Sequence, residues 1–369
     1  GCVHCRPCNI LCGVGGAGLF SDGKLNFIHK LGKTDLTQFL GLAEACQLID
    51  ETEAIFNRYG MDGQVFPTDM AAARTIRKEA RKHGIDLLLI RQKHLGSDNL
   101  PRHIDAMARQ IEARGVVFHH SENVRDLLVE DGRVTGVVTD RDTYAAKSVI
   151  LAPGRVGAEW MGALAGRHAI GLSQRGIEVG VRVEVHNEIM QDLCEVIYDP
   201  TFFIRTNRYD DQTRTFCTNF GGYVALENYQ DFVCVNGHAL MDRKSANTNF
   251  AFLSKVILTD PVEDNQAYGE SIGRLATLIG GGKPILQRYG DLTRVALARY
   301  LAPREPHRVA DPRDRGDGAG LVADAAGEAH AHFGRTVDRR VGEAKRKGPA
   351  AAILATAAAC QHGAQPHEE

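Results

Sequence analysis

Residues 144–157 (YAAKSVILAPGRVG) constrain the fold more than any other stretch of this chain. Their apolar run 149–152 stops abruptly at Pro153-Gly154. A short continuous apolar run bounded by a turn signal predicts a strand buried on both faces. The end of such a strand opens into a tight loop, where α/β sheets place their ligands. Just upstream, residues 124–129 and 134–139 are β-rich runs joined by Glu130-Asp131-Gly132-Arg133. Asp-Gly between two such runs is the strongest short-range hairpin signal.

Around this feature the chain alternates. Helical spacing of Leu36, Phe39, Leu40, Ala43, Leu48, Ile55 and Phe56 predicts a helix over 36–59, stopped at Gly60. A second helix is expected over 68–83, ending at Gly84, followed by a strand over 86–90. A third helix follows, with Asp98 or Asn99 as its cap, Pro101 early, Ile104, Met107 and Ile111 inward, and Gly115 past its end. Residues 116–119 then start another strand. This strand–helix–strand order argues for an α/β layer. After Gly176 the pattern changes to short β-rich runs at 179–185, 202–206, 215–218, 223–227 and 232–236, which predict a mostly antiparallel sheet. A helix is expected over 267–279, before Gly280-Gly281-Gly282.

Beyond about residue 295, Arg, Ala, Gly, Asp and His dominate, and Tyr300 and Phe333 are the aromatics. Such a segment can bury little apolar surface, so it is expected to be disordered or translated out of frame. Its run 350–359 could form a helix with little to pack against. The expected organisation is therefore 1–175, 176–294 and an atypical tail 295–369.

Composition narrows the function classes. A chain of 369 residues with 43% hydrophobic and 24% charged residues suits a large core and two domains. A formal net charge of -2 gives no global field favouring nucleic acid or an anionic membrane surface. No apolar stretch approaches the roughly 20 residues of a membrane helix. No secretory signal is recognisable, so the expected setting is the cytoplasm. Residue 1 is Gly and the chain opens inside a cysteine-rich motif, so an N-terminal segment is expected to precede it. The cysteines number nine, an odd count that cannot pair completely, and this is not a disulfide scaffold.

Several motifs carry chemistry. Cys2, Cys5, Cys8 and Cys12 have the spacing of a bacterial iron–sulfur run, without the usual following proline and without a second run. A Cys-rich loop or a redox-active thiol pair is the preferred reading, and an iron–sulfur cluster is not expected. Residues 13–18 (GVGGAG) formally match GxGxxG, which has meaning only between a strand and a helix. Residues 9–12 are too short for a buried strand, and 20–24 read as a turn, so the standard dinucleotide fingerprint is rejected. Glycines there can still let a cofactor approach the backbone. His94 and Asp98, in HLGSDN, join a titratable imidazole to capping residues at a strand end. Arg182, Arg205, Arg214 and His238, with the run 245–249 (SANTN), could bind a substrate carboxylate from one sheet. For any single Arg, ordinary solvated surface charge is the preferred reading.

Taken together, GGAGLFSDGKL (15–25), KHLGSDN (93–99), VILAPGRVGAEW (149–160), GVRVEV (180–185), RTFCTNFGGYV (214–224), VNGHA (235–239), KSANTNFA (244–251) and QRYGDL (287–292) resemble a family. It is the uncharacterised FAD-dependent dehydrogenase family of bacteria and archaea, the NAD(P)/FAD-dependent oxidoreductases. The hairpin and the Ala-Pro-Gly strand end also resemble the end of the FAD-binding domain in two-dinucleotide-fold flavoproteins. The resemblance implies an α/β fold: a partial FAD-binding, Rossmann-like domain with an inserted β-rich substrate domain. It implies FAD, with NAD(P)H as a further electron donor, and a small-molecule substrate.

The same resemblance supplies the expected site. Gly15, Gly16, Gly18, Ser21 and Asp22 would form the flavin-side loop. Gly154 and Arg155 would close on FAD, and Val124 would touch the adenine through its backbone. His94 and Asp98 are the expected acid/base helpers. The family's opening strand–GxGxxG–helix unit lies outside this chain, and its closing Gly-Asp-Gly turn is not convincingly present. Asp317-Gly318-Ala319-Gly320 approximates that turn, but Pro312-Arg313-Asp314-Arg315 precedes it instead of an apolar strand. The competing reading is an iron–sulfur electron carrier with Cys2, Cys5, Cys8 and Cys12 as ligands. A further one is a gene fragment with no function of its own.

Overall fold

The computed structural model describes residues 8, 12–20, 23–32, 34–172, 176–207, 209–229, 231–258, 264–289 and 352–359. The chain divides into two compact units: Gly1–Pro101 with Gln174–Gly363, and Arg102–Ser173 with Ala364–Glu369. The first unit thus joins the segment before residue 101 to the β-rich segment.

In chain order the elements begin with β1 (Lys24–Phe27), β2 (Lys30–Leu31), β3 (Thr34–Asp35), α1 (Leu42–Arg58), β4 (Val65–Phe66), α2 (Met70–Arg81), β5 (Ile85–Leu88) and β6 (Arg91–His94). Next come α3 (Leu100–Glu112), β7 (Val124–Glu130), β8 (Arg133–Thr139), β9 (Thr143–Ala145) and α4 (Ala158–Arg167). Then follow β10 (Ile177–His186), α5 (Asn187–Val196), β11 (Thr201–Arg205), β12 (Gln212–Asn219), β13 (Tyr223–Asn228), β14 (Val233–His238) and β15 (Asn247–Val256). The last are α6 (Asn265–Ile279), β16 (Ile285–Arg288) and β17 (Ala352–Ala359).

The first unit is built on a seven-stranded sheet in the order β16-β17-β10-β15-β12-β11-β5. Its described pairings are antiparallel, as the short β-rich runs after Gly176 led one to expect. Helix α2 begins at Asp69, whose carboxylate accepts from the Ala71 and Ala72 N–H groups. The Ala73 face of α2 lies in one apolar cluster with Ile85, Leu87, Ile197, Phe202 and Ile204, from β5, β11 and the end of α5. A second cluster joins Ile177, Phe232 and Cys234, with Tyr268 of α6 packed against it. The unit also contains a three-stranded sheet, β1-β6-β4, and the two-stranded ribbons β13-β14 and β2-β3.

Residues 352–359 are a correction to the expected helix over 350–359. They form β17, between β10 and β16, with Glu178 opposite Ala359 and Arg288 opposite Ala352. Alanine's helix preference is worth only fractions of a kcal/mol per residue, so partners on both sides override it. The rest of the expected tail lies outside the described residues.

In the second unit, β7 and β8 form the expected hairpin, with Glu130 opposite Arg133. Asp131 and Gly132 sit at φ 51° and 73°, the left-handed pair that matches the twist of a two-residue turn. Strand β9 extends the ribbon. Two expected strands are absent. Residues 116–119 and 149–152 make no ladder, and Val117 and Ile150 are 72% and 92% exposed. Neither run is paired with a strand among the described residues, and an apolar segment without ladder partners has no backbone hydrogen bonds to hold it as a strand. Asp98 accepts from the Met241 and Asp242 N–H groups, and the Asn99 side chain donates to the Leu95 carbonyl.

Candidate functional site

Arg182, in the middle of β10, is 1% exposed. Its Nη1 donates to the Cys217 carbonyl at 3.1 Å and to Asn249 Oδ1 at 2.8 Å, and its Nη2 to Asn236 Oδ1 at 3.1 Å. All three acceptors are neutral. Asn219 Nδ2 donates to the same Cys217 carbonyl at 2.7 Å, and Asn236 Nδ2 donates to Glu227 Oε1 at 2.8 Å.

The Cys217 carbonyl reaches Arg182 because β12 is irregular. Its register against β15 shifts between Phe216 and Asn219, and Cys217 adopts φ 53°. A bulge of this kind re-aims backbone and side chains. A non-glycine residue held in the left-handed region costs about 1 kcal/mol or more, and such strain clusters at functional sites. On the far side of the cluster, β14 presents Gly237. A Cβ there would fall within 3.0 Å of Asn219 Nδ2, Asn249 Oδ1 and Arg182 Nη1, so glycine is what lets the strand pass.

The bulge also serves a second polar cluster. The Thr218 N–H donates to Asp199 Oδ1 at 2.7 Å, and its carbonyl accepts from Lys24 Nζ at 3.0 Å. Lys24 and Asp199 form an ion pair at 2.9 Å with both side chains 7% exposed. Gln92 accepts from the Asp199 N–H at 3.3 Å and donates to Asn26 Oδ1 at 2.9 Å. Beside it, burial pushes the Cys194 thiol up to about 12, with the Asp199 carboxylate adding to the effect. That thiol stays protonated.

Of the two expected acid/base residues, His94 ends β6, is buried, and stacks on Tyr198 with ring centroids 4.2 Å apart. Asp98 is fastened to a turn: its carboxylate accepts from Met241 N–H at 3.0 Å and Asp242 N–H at 3.1 Å. Burial raises its pKa, but the hydrogen bonds from Met241 and Asp242 outweigh this and hold it below the usual carboxylate value. Ser97 donates from both its N–H and its hydroxyl to the Ala239 carbonyl, and its Oγ lies 3.3 Å from His238 Nδ1.

The other cations of the expected carboxylate set have partners. Arg214 pairs with Glu178 through Nε at 2.6 Å and through Nη2, and lies over the Phe216 ring. Arg205 is exposed and pairs with Asp210 at 2.8 Å. Arg182 alone among these Arg residues has no ion pair among the described residues.

The expected cofactor positions fall in two turns, each described within its own unit. Gly13, Gly15 and Gly16 have φ of 114°, 86° and 63°, and the turn continues into a 3₁₀ segment, Ala17–Phe20, that includes Gly18. A Cβ at Gly13, Gly16 or Gly18 would meet nothing within 4 Å, so the backbone there is open to a ligand. Gly154, at φ 67°, is equally open. It leads through the 3₁₀ turn Arg155–Gly157 to α4, whose first turn has no side-chain cap. Val124 opens β7, opposite Thr139. Ser21 and Asp22 lie outside the described residues, as do Cys2 and Cys5. Cys8 is buried, and Cys12 Sγ lies 3.5 Å from its carbonyl. Among the described residues no group of three or more His, Cys, Asp or Glu side chains could hold a metal ion.

Sequence reasoning singled out Arg182 and the 245–249 run but assigned no role to Lys24, Asp199, Cys217, Thr218, Asn219 or Asn236. Motifs scattered from 180 to 251 converge on one guanidinium. The signal available was the concentration of Asn and Thr in strands that otherwise read as core. The bulge that breaks the alternation of β12 hid which of them point inward.

A model of the FAD binding domain family matches residues 40–364. Over 50 residues the chain is 44% identical to a D-amino acid dehydrogenase of Rhizobium johnstonii. That stretch is 14% of this chain and 12% of the relative, so the chain spans only a small part of the relative's length. The family match extends over most of the sequence and through both compact units: this chain belongs to the FAD binding domain family.

Proposed function

We propose that the chain is part of an FAD-dependent oxidoreductase, a dehydrogenase that moves a hydride through the flavin to or from a small organic substrate. The observation that carries this reading is the family match over residues 40–364. The dehydrogenase relative adds support within its short matched stretch. In this reading the chain supplies part of a Rossmann-like FAD domain, with the β-rich segment inserted as the substrate domain. NAD(P)H as a further electron donor and a cytoplasmic setting belong to the same proposal.

The residues present fit such a cofactor. FAD carries a pyrophosphate, and anions favour exposed backbone N–H groups and uncapped helix starts. The glycine turn at Gly13–Gly16 leaves open space at Gly13 and Gly16, Gly154 is open too, and no side chain caps the start of α4. Gly15, Gly16 and Gly18, with Ser21 and Asp22, would line the flavin side. Gly154 and Arg155 would close on the cofactor, and Val124 would offer a backbone contact to the adenine. When bound, the flavin supplies the two-electron chemistry, and the protein supplies binding, orientation and electrostatics.

The chain's own groups divide that second task. Asp98, kept anionic by two N–H donors, holds the 239–242 turn and so positions His238 and Ser97. His94, buried against Tyr198, is the group able to hold or pass a proton at a ring nitrogen.

The test is to purify the protein, denature it and identify the released nucleotide by mass. FAD is expected. Recovery of nicotinamide nucleotide alone, or of no nucleotide, counts against the reading.

A further inference from the structure

We infer that Asp126 is a positioning residue: it fastens the C-terminal end of α4 to β7 and so fixes where the start of α4 stands for the cofactor. The inference deepens the oxidoreductase reading and rests on it for naming FAD. The fastening itself is argued from geometry within residues 102–173 alone.

The Asp126 carboxylate gathers donors from two elements. His168 Nε2 lies 2.6 Å from Oδ1, Arg167 Nε lies 3.2 Å from Oδ2, and the Leu127 N–H donates to Oδ1 at 2.9 Å. Arg167 Nη2 also donates to the Arg125 carbonyl at 2.9 Å. The Arg125 side chain pairs with Asp140 instead, at 3.4 Å. The bond from His168, then that from Leu127, outweighs burial, and the charge of Arg167 adds to them. The Asp126 carboxyl is thereby held below its usual value and stays an anion.

Both sides of this contact are irregular where they meet. The register of β7 against β8 shifts between Val124 and Asp126, so Arg125 is the extra residue of a bulge. A bulge leaves its extra residue out of the ladder and re-aims the side chains beside it. Here the Arg125 carbonyl goes to Arg167 and the Asp126 side chain to His168. In α4, His168 is the C-cap, Ala169 follows at φ 54°, and the Ile170 N–H reaches back to the Ala165 carbonyl at 2.9 Å. Glycine usually provides that left-handed helix stop, and an alanine held there is strained.

A helix of 10 residues is a rod about 15 Å long, so fixing its end also fixes its start. The start of α4 has no side-chain cap, and Gly154 just before it is open. The turn between them is tight, since a Cβ at Gly157 would collide with the Pro153 ring. Strand β7 begins at Val124, beside the bulge. Asp126 therefore ties together the two elements of this unit that face FAD in the proposed reading. Asp140 makes the contrast within the same hairpin: its carboxylate holds Asn123 and Arg125, and no residue of α4 among the described residues.

The experiment uses the full chain, titrates FAD by the quenching of its fluorescence, and follows amide hydrogen exchange on the same samples without flavin. Asp126→Asn should weaken FAD binding about fivefold or more, and the α4 amides 162–167 should exchange faster. Asp126→Glu keeps the carboxylate and should recover most of the affinity. His168→Gln keeps a donor without the charge and should shift the affinity the same way by a smaller factor. Asp140→Asn should stay within about twofold of wild type. Equal FAD affinities for Asp126→Asn and Asp140→Asn overturn the inference, as does α4 exchange that Asp126→Asn leaves unchanged. Wild-type protein that binds no FAD sinks the oxidoreductase reading and the cofactor half of this inference with it, while faster α4 exchange in Asp126→Asn still establishes the fastening. Tight FAD binding that Asp126→Asn leaves unchanged does the reverse.

Discussion

Two sets of apolar, extended chain meet opposite fates in this molecule. The runs after Gly176 become β10–β14, and their side chains enter buried clusters around Ile177, Phe202, Ile204 and Cys234. The runs 116–119 and 149–152 are no less apolar, yet they pair with no strand among the described residues, and Val117 and Ile150 face solvent. Apolar content is therefore not what separates them. An antiparallel strand finds its partner a turn or a short connection away, at small loop-closure cost. A parallel strand buried on both faces needs neighbours brought from distant sequence. Among the described residues of 102–173 the sheet is the ribbon β7-β8-β9, which satisfies itself locally.

The sharpest way to break this contrast is a pair of glycine substitutions. Gly237→Ala forces a methyl group into Asn219, Asn249 and Arg182, and should cost about 3 kcal/mol or more, or prevent folding. Gly154→Ala faces open space and should cost only about 1 kcal/mol, for its positive φ. Urea denaturation measures both. Equal losses would mean that the Arg182 cluster is not tightly held.

Next in size is Leu253→Ala, 1% exposed in β15, for which about 2–4 kcal/mol is expected. Ile150→Ala, at 92% exposure, should change stability by no more than about 0.5 kcal/mol. Hydrogen exchange offers the same comparison without mutation. Amides of β10, β12 and β15 should be protected, and those of 149–152 should exchange rapidly. Protected amides at 149–152 would show that this run has strand partners after all.

Gly132→Ala tests the ribbon. With Gly132 at φ 73° in a two-residue turn, about 1 kcal/mol should be lost, confined to β7–β9. A loss of protection in β10 or β15 would show that the two units unfold as one.

The smallest expected effect is at Asp98. Its folded pKa is depressed, so its contribution is fully present above the ordinary carboxylate range. It is lost as pH falls through the lowered value. Asp98→Asn should cost about 1 kcal/mol at pH 7, toward the low end for a charge-assisted bond because the side chain is exposed. The difference from wild type should shrink toward pH 3. A gap that stays constant from pH 7 to pH 3 would mean that the Met241 and Asp242 N–H groups do not select the anion.

Much of the local structure was legible beforehand for a common reason. The hairpin at Asp131-Gly132, helix α2 between Asp69 and Gly84, and α6 before its glycine run each declare themselves within a few residues. Their signals are capping, turn chemistry and periodicity, all local. The site was legible only as an inventory. Arg182, Arg205 and Arg214 look alike as text, and burial with or without a carboxylate neighbour is what distinguishes them. His94 and Asp98 share one short motif, yet one side chain is buried against Tyr198 and the other tethers a turn. Side chains a few residues apart at a strand end can face different surroundings.

The sequence by itself determined where the chain turns, where it coils and which stretches can be core, because those follow from steric preference and the spacing of apolar side chains. It also carried the dispersed motifs that mark the family. Tertiary structure decided which apolar runs acquire ladder partners, and that the alanine-rich run 352–359 becomes a strand between β10 and β16. It also decided that a bulge in β12, a glycine in β14 and two asparagines from separate strands close around a single arginine. Backbone hydrogen bonding between strands and the desolvation of charge depend on neighbours in space, and residues far apart along the chain become neighbours only when it folds.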